Sequence, residues 1–563
     1  MNSTKQIALC ICMLFILIIS KAQNNVNVSL ELNQIQKSID SLLKNYDEKA
    51  PGISIGIMNN NKLVYEKQFG LANMEYQIPI TSETSFHVAS VSKQFNAFAI
   101  LLLEDQGKLS LDDDIRTYIP EMYDFENTIT IRHLLNHTSG LKDQYNLLRL
   151  SGWSLNDLIT NEQVLHILYN QRTLNFQPNE KHMYSNSGYT LLAEIVARVS
   201  NMSFEEYIKQ FIFEPLDMNN SVFVSQEGQI VKNRSKSYYK IDSTYVEDIF
   251  NNSSVGATNL STTIEDLAKW ANNFDTKRVG NDNIFRKMHT QTPLRNKNFY
   301  GYAGGQFINT YKGFRRIEHS GQDASYQAYL ARFPELNLNI IFANTNGEIN
   351  GAQMVYDIMD ICLKPYLKNK KTTASSKKLL THKKPIKKEV SYLKQFEGYY
   401  WDEGDKYSRH IKVENDTLRY IRSSTNKTVL IPVEENEFEM VLDEYVSVAF
   451  NSNKMIVTLD DGYQIVSEKY SPADYNSKTL EEFKGKYYSP ELNAYYTFNT
   501  EENTLVANHT RLGDFKLKAI KKDYFIGNKG SFLKVVFLRN RSKEIIAFEV
   551  SSSRAKDVRF NKL

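Results

Sequence analysis

Phe86 to Phe98 reads FHVASVSKQFNAF, with Ser90 and Lys93 three positions apart. The apolar segment FNAFAILLLEDQG continues from Phe95 to Gly107. A segment of that length predicts a buried helix, with Gly107 placed to end it. By itself S-x-x-K says little, because the same spacing recurs at Ser41/Lys44, Ser237/Lys240 and Ser391/Lys394. A serine alcohol becomes a useful nucleophile only with a base in reach and donors for the developing oxyanion. On a helix opening at Ser90, Lys93 shares the serine's face one turn on. The helix N-terminus and burial both disfavour a charged amine there, lowering its pKa and freeing a lone pair for the serine proton.

Two further segments supply company for this pair. HMYSNSG contains Tyr184-Ser185-Asn186, and of the 34 tyrosines only Tyr184 has asparagine two residues later. A phenol relays protons when nearby cations stabilise its phenolate, and the Asn186 amide is suited to fixing both Lys93 and a substrate carbonyl. RIEHSGQDASY holds His319-Ser320-Gly321, the chain's single H-x-G, within a strand pattern. A strand beside the nucleophile can take a substrate backbone as an added strand, and glycine permits close approach.

The order S-x-x-K, Y-x-N, then H-x-G resembles the penicillin-recognising serine hydrolases: class C β-lactamases, DD-carboxypeptidases, D-aminopeptidases and related esterases. ASVSKQF, LLNHTSGL, YSNSGYTLL, NLSTTIEDLAKW and HSGQDASYQAYLARFPE are also similar to that family's segments, from about Ile35 to Leu363. The resemblance implies Ser90 as the acylated nucleophile, Lys93 as its base partner and Tyr184 as general base. It implies Asn186, His319 and Gly321 as substrate-binding positions, with the backbone N–H groups of Ser90 and Gln322 as the oxyanion hole. His319 stands where the family commonly has lysine. A largely neutral imidazole is a weaker carboxylate anchor, which disfavours β-lactams as substrates. Members with H-x-G lean towards D-aminopeptidases and esterases. Some D-aminopeptidases resemble the whole layout, a catalytic domain followed by two antiparallel barrels.

The remaining histidines read more plainly. His137 fits a turn, His182 sits beside Tyr184 without an assigned role, and His87 reads as core or rim. No H-E-x-x-H or cysteine cluster is present, so neither a metal nor a cofactor is expected. Gly304-Gly305 lies in strand context and does not read as a phosphate loop.

Residues 1–22 read as a secretory signal peptide: Lys5, an apolar run over Ile7–Ile19, and small residues before Gln23. The expected location is therefore periplasmic or secreted, in a bacterium. The membrane is met only through that segment before cleavage. Cys362 is the one cysteine beyond it, so no intramolecular disulfide can form there, and its apolar helical setting reads as core. A net charge of +3 over 563 residues gives no footprint for nucleic acid.

The expected organisation is a serine hydrolase domain over 23–367, a lysine-rich linker over 368–390, and two β-barrel repeats over 391–476 and 477–563. In the first domain a strand hairpin, a helical insert, more strands and a final helix predict an α+β fold. That fold is a mixed antiparallel sheet flanked by helices, with a helical subdomain. A capping box is expected at Thr262 and Glu265. Beyond the linker, YLKQFEGYY recurs as TLEEFKGKYY at an offset of 87, which carries Phe396 onto Phe483, Gly398 onto Gly485 and Phe450 onto Phe537. Short alternating apolar runs in each copy predict all-β units.

The sequence therefore points to a hydrolase forming an acyl-enzyme on amide or ester bonds, with D-amino-acid-containing peptides first among its substrates. These are small and include peptidoglycan-derived ones. Carboxylesterase and weak β-lactamase are the enzymatic alternatives. A penicillin-binding or cell-wall-binding protein without turnover is the alternative of another class. The oligomeric state is open.

Overall fold

The computed structural model describes residues 28–367, 383–403, 407–423, 425–442, 445–459 and 462–563. The expected signal peptide and most of the lysine-rich segment lie outside them. Helix α1 (Val28–Leu43) precedes a hairpin of β1 (Ile53–Asn59) and β2 (Lys62–Phe69). Asn60 and Asn61 join the two strands, both at positive φ (48° and 63°), as a two-residue hairpin loop of this hand requires. Helix α2 (Lys93–Asp105) comes next, then a helical region including α3 (Gln144–Leu150), α4 (Asn186–Ser200) and α5 (Ile264–Thr276). Strands β3 (Tyr302–Ala303), β4 (Gln306–Tyr311), β5 (Phe314–Asp323), β6 (Tyr326–Phe333) and β7 (Leu338–Asn344) complete the sheet before α6 (Gly351–Leu367).

The sheet order is β3-β4-β5-β6-β7-β1-β2, each neighbouring pair antiparallel. Strand alternation sorts its side chains between two cores. Ile53, Ile55, Ile340 and Phe342 face α1 and α6, where Met354, Ile358 and Cys362 are buried. Ile341, Ala343, Ala328 and Leu330 face the opposite way, into the larger core built on α2, α4 and α5. Burial raises the Cys362 thiol to about 12, which makes it an inert core residue. The cap of α5 sits one residue later than the sequence pattern suggests. Thr263, extended at φ −100°, accepts from the Asp266 N–H. Thr262 ends a short strand and bonds Ser221 at 2.7 Å instead.

Residues Gly398–Tyr470 and Gly485–Lys562 form two closed eight-stranded antiparallel barrels. Closure leaves no free sheet edge. The internal repeat is visible at atomic detail. Tyr400 donates to the Phe396 carbonyl at 2.9 Å, and Tyr487 donates to that of Phe483 at 2.8 Å. The offset of 87 holds to Phe450/Phe537. It becomes 93 at their strand partners Met455 and Phe548, so the second copy carries six extra residues in that hairpin.

The second barrel is docked on the helical region around α3. Tyr496 donates to the Leu150 carbonyl at 2.9 Å. His509 occupies the space that a Cβ on Gly152 would need, 1.9 Å from its ring. Lys142 and Glu491 form a buried ion pair at 2.8 Å, with side chains 0% and 7% exposed. The apolar interior of this barrel is continuous with the larger core built on α2, α4 and α5, whereas the first barrel has a core of its own.

Candidate active site

Ser90 lies in a 3₁₀ turn, Ala89–Ser92, immediately ahead of α2, so Lys93 is the first residue of the α-helix itself. Ala89 is held at φ 46°, a left-handed conformation unusual for a residue with a Cβ. Such positions cost about 1–3 kcal/mol and persist only when their surroundings fix them. Here the surroundings are β5. A Cβ on Gly321 would come within 2.2 Å of the Val88 carbonyl oxygen and 2.9 Å of the Ser90 nitrogen. No residue larger than glycine lets that strand lie so close to the serine turn. Gly304 and Gly305, at φ 53° and 75°, turn the β3–β4 hairpin against Met288 and the Lys93 backbone in the same way.

Lys93 is fully buried. Its Nζ is 3.0 Å from Ser90 Oγ, 2.8 Å from Asn186 Oδ1 and 2.6 Å from the Ala257 carbonyl oxygen. Burial pushes its pKa down to about 7, with Arg554 adding to the drop while Asp323 and Asp143 oppose it. Burial is the largest cause, as expected from sequence. An amine titrating near 7 is neutral often enough to accept a proton from Ser90 while donating to Asn186 and Ala257.

Asn186 begins α4 and is positioned by Asp143. One carboxylate oxygen of Asp143 accepts the Asn186 backbone N–H at 2.8 Å and its side-chain amide at 2.9 Å. The other oxygen caps α3 through the N–H groups of Tyr145 and Asn146. One amide hydrogen of Asn186 remains for a ligand.

The Tyr184 ring lies 4.9 Å from Lys93 Nζ and 5.6 Å from the Arg554 guanidinium carbon. Two cations are thus beside the phenol, as a relay through a phenolate requires. Burial outweighs them and raises the Tyr184 pKa well above its ordinary value. The resting group is a neutral phenol, and its buried hydroxyl faces Ser90, whose interaction with it opposes the rise. His137, at φ 55°, packs tilted against this ring at 4.3 Å and accepts the Ser185 N–H at 3.2 Å. It supports Tyr184 from a turn. His182 stacks on Tyr300 at 4.6 Å.

His319 is buried on β5, with Nδ1 2.5 Å from the Ser320 carbonyl oxygen and Nε2 3.3 Å from the Tyr302 hydroxyl. The carbonyl assigns the proton to Nδ1. Burial, with Lys93 nearby, lowers the His319 pKa to about 3. The imidazole is neutral here and already partnered. His87 bonds Asp323 at 3.0 Å behind the same wall.

These residues meet at one cavity of about 750 Å³, lined among others by Ser90, Tyr184, Asn186, His319 and Gln322. Gly321 packs behind its wall, against the Ser90 turn. The three motifs, scattered between Ser90 and Gly321 in sequence, therefore converge. The profile of the family described as Beta-lactamase matches residues 39–359. The chain belongs to the β-lactamase family. It is 28% identical over 306 residues to penicillin-binding protein 4* of Bacillus subtilis strain 168, covering 51% of this chain and 66% of that protein. The chain spans 64–66% of the length of the curated relatives it matches. Among solved structures it resembles an octameric penicillin-binding protein homologue from Pyrococcus abyssi, at 25% identity and TM-score 0.52, over 77% of this chain and 99% of that one. It shares its fold with a D-amino acid amidase from Ochrobactrum anthropi SV3, at 18% identity and TM-score 0.51, over 59% of this chain and 99% of the other. This β-lactamase-family chain carries two further barrels, and the second contributes Arg554 to the cavity wall.

Asp143, Ala257 and Arg554 were not found from the sequence. Asp143 lies two residues after LLNHTSGL, so its position was marked although its function as a brace was not. Ala257 acts through its backbone carbonyl, which no side-chain pattern records. Arg554 lies on an ordinary barrel turn, 464 residues after Ser90, with no local signal.

Proposed function

We propose that this β-lactamase-family chain is an exported serine hydrolase that works through an acyl-enzyme on amide or ester bonds. Peptides containing D-amino acids, including peptidoglycan-derived ones, are its substrates. The observation that carries the reading is Ser90 Oγ at 3.0 Å from a fully buried Lys93 whose pKa is lowered to about 7. Neutral Lys93 accepts the Ser90 proton as Oγ attacks the substrate carbonyl. The oxyanion is received by the N–H groups of Ser90 and Gln322. Lys93, with Tyr184 as relay, returns the proton to the leaving nitrogen or oxygen as the scissile bond breaks. Water then attacks the ester, giving up its proton by the same route, and Ser90 is regenerated. Neutral His319 supplies no charge of its own to a substrate carboxylate.

The test is labelling by a fluorophosphonate probe followed by peptide mapping. We expect stoichiometric label on Ser90 and none on Ser90→Ala. Equal labelling of that variant would remove Ser90 from the reaction. Turnover of D-alanyl amides, p-nitrophenyl esters and a chromogenic cephalosporin then ranks the leaving groups.

A further inference from the structure

The turn between the last two strands of the second barrel, Ser551-Ser552-Ser553-Arg554-Ala555-Lys556-Asp557, enters the catalytic domain. Its fixings are numerous. The Arg554 carbonyl accepts the Asp143 N–H at 2.9 Å and the Asn175 amide at 3.1 Å. Asn175 in turn accepts the Lys556 N–H at 2.7 Å. Asn146 donates to Ser552 and Ser553 at 2.9 and 3.1 Å, and Ser552 N–H closes the turn onto Ala555 at 2.8 Å. The backbone is thus fastened to the two segments that carry Asp143 and border the cavity. The arginine side chain, 35% exposed, projects to the cavity that holds Ser90, Tyr184 and Asn186.

The guanidinium itself is under-used. Among the described residues it donates no hydrogen bond. Its nearest carboxylate, Asp143, stands off at 3.7 Å and already accepts four N–H groups at 2.8–3.3 Å. The other acids on the cavity wall are also taken, Asp248 by Ser325 at 2.7 Å and Asp323 by His87 and Thr258. A planar fork of five donors on an anchored backbone, with one long ion pair at 3.7 Å and no hydrogen bond among the described residues, fits a carboxylate. The competing cations do not. Lys93 has three acceptors of its own, His319 is neutral, and Arg149 is exposed at the rim.

We propose that Arg554 is the substrate-carboxylate anchor of this site, so that the preferred substrates are short peptides with a free C-terminal carboxylate. The catalytic domain alone then holds an incomplete site, and the second barrel completes it. The duplication sharpens the point. In sequence, the offset of 93 sets Ser553-Arg554 against Asp460-Asp461, of opposite charge.

The inference rests on the hydrolase reading for the word substrate, but its test does not need turnover. The full chain carrying Ser90→Ala is titrated by calorimetry with N-acetyl-D-alanyl-D-alanine and with the same peptide as its C-terminal amide. We expect the acid to bind about ten-fold or more tightly than the amide. Adding Arg554→Ala should bring that ratio to near one, and Arg554→Lys should restore part of it. Equal binding of acid and amide, binding of neither, or a preference that survives Arg554→Ala would each overturn the proposal. If Arg554→Ala fails to fold, the ratio in Arg554→Lys and in the parent decides. Fluorophosphonate labelling of Ser90 in the unmutated chain judges the hydrolase reading separately. A labelled chain without acid preference sinks only the anchor, and an unlabelled chain with acid preference sinks only the hydrolase.

Discussion

Asp143 holds Asn186 at two points with one oxygen, by its backbone N–H at 2.8 Å and its amide at 2.9 Å. The carboxylate is buried and caps α3 with its other oxygen. Asp143→Ala removes a helix cap and orphans buried donors, for a cost of about 2–4 kcal/mol. It also frees the amide that orients Lys93. Urea unfolding should show the loss, and Ser90 labelling of the still-folded variant should slow.

The Lys93 pKa near 7 sets a pH profile. Acylation needs the neutral amine, so the rate of Ser90 labelling should rise with pH through about 7 and level off above it. Stability follows the same group. The folded pKa lies below that of an exposed lysine, so the unfolded chain binds more protons between about 7 and 10.4, and stability rises with pH across that window. Lys93→Met should abolish labelling and remove this part of the slope. A labelling rate flat from pH 5 to 9 would contradict the assignment of Lys93 as base.

Gly321→Ala puts a methyl group 2.2 Å from the Val88 carbonyl oxygen. Overpacking of this kind costs about 1–3 kcal/mol and is relieved by moving β5 away from the serine turn. Displacing one oxyanion donor is worth about 10²–10³ in rate. Labelling should fall by about that factor while circular dichroism reports an intact fold.

His319 should leave no mark on the pH profile between 5 and 8, since burial holds its pKa near 3. His319→Asn retains a donor near Nδ1 and should shift the labelling midpoint little. A limb near pH 6 that vanishes in this variant would show that the imidazole titrates during the reaction.

The Lys142–Glu491 pair joins the catalytic domain to the second barrel without solvent. Removing one partner leaves a buried charge uncompensated, at about 3–5 kcal/mol. Glu491→Ala should loosen the barrel, seen as new proteolytic cuts between the first and second barrels. Lys142→Met with Glu491→Leu should recover much of the loss.

Periodicity and turn residues made the fold legible, because each is a local consequence of burial. The Asn60-Asn61 hairpin, the helix after Ser90 and the duplicated barrels all follow from such patterns. Ser90, Lys93, Tyr184, Asn186 and His319 were singled out by spacing and resemblance; the structure brings Ser90, Tyr184, Asn186 and His319 to one cavity, with Lys93 buried behind Ser90. The resting proton on Tyr184 was not legible, since it depends on burial outweighing two nearby cations. The one-residue shift of the α5 cap turned on whether Thr262 or Thr263 leaves the strand, a choice made by Ser221 across the sheet. Arg554 could not be read, because docking of one domain on another writes no period into either.

The turn that carries Arg554 precedes Val558–Lys562, the strand that pairs with Tyr487 and Tyr488 to shut the second barrel. A ribosome makes these residues long after Ser90. Ser90 and Lys93 are therefore in the chain before one wall of their cavity has been made. A chain interrupted before Val558 would keep the S-x-x-K, Y-x-N and H-x-G motifs and lack the strand that closes the barrel behind that wall.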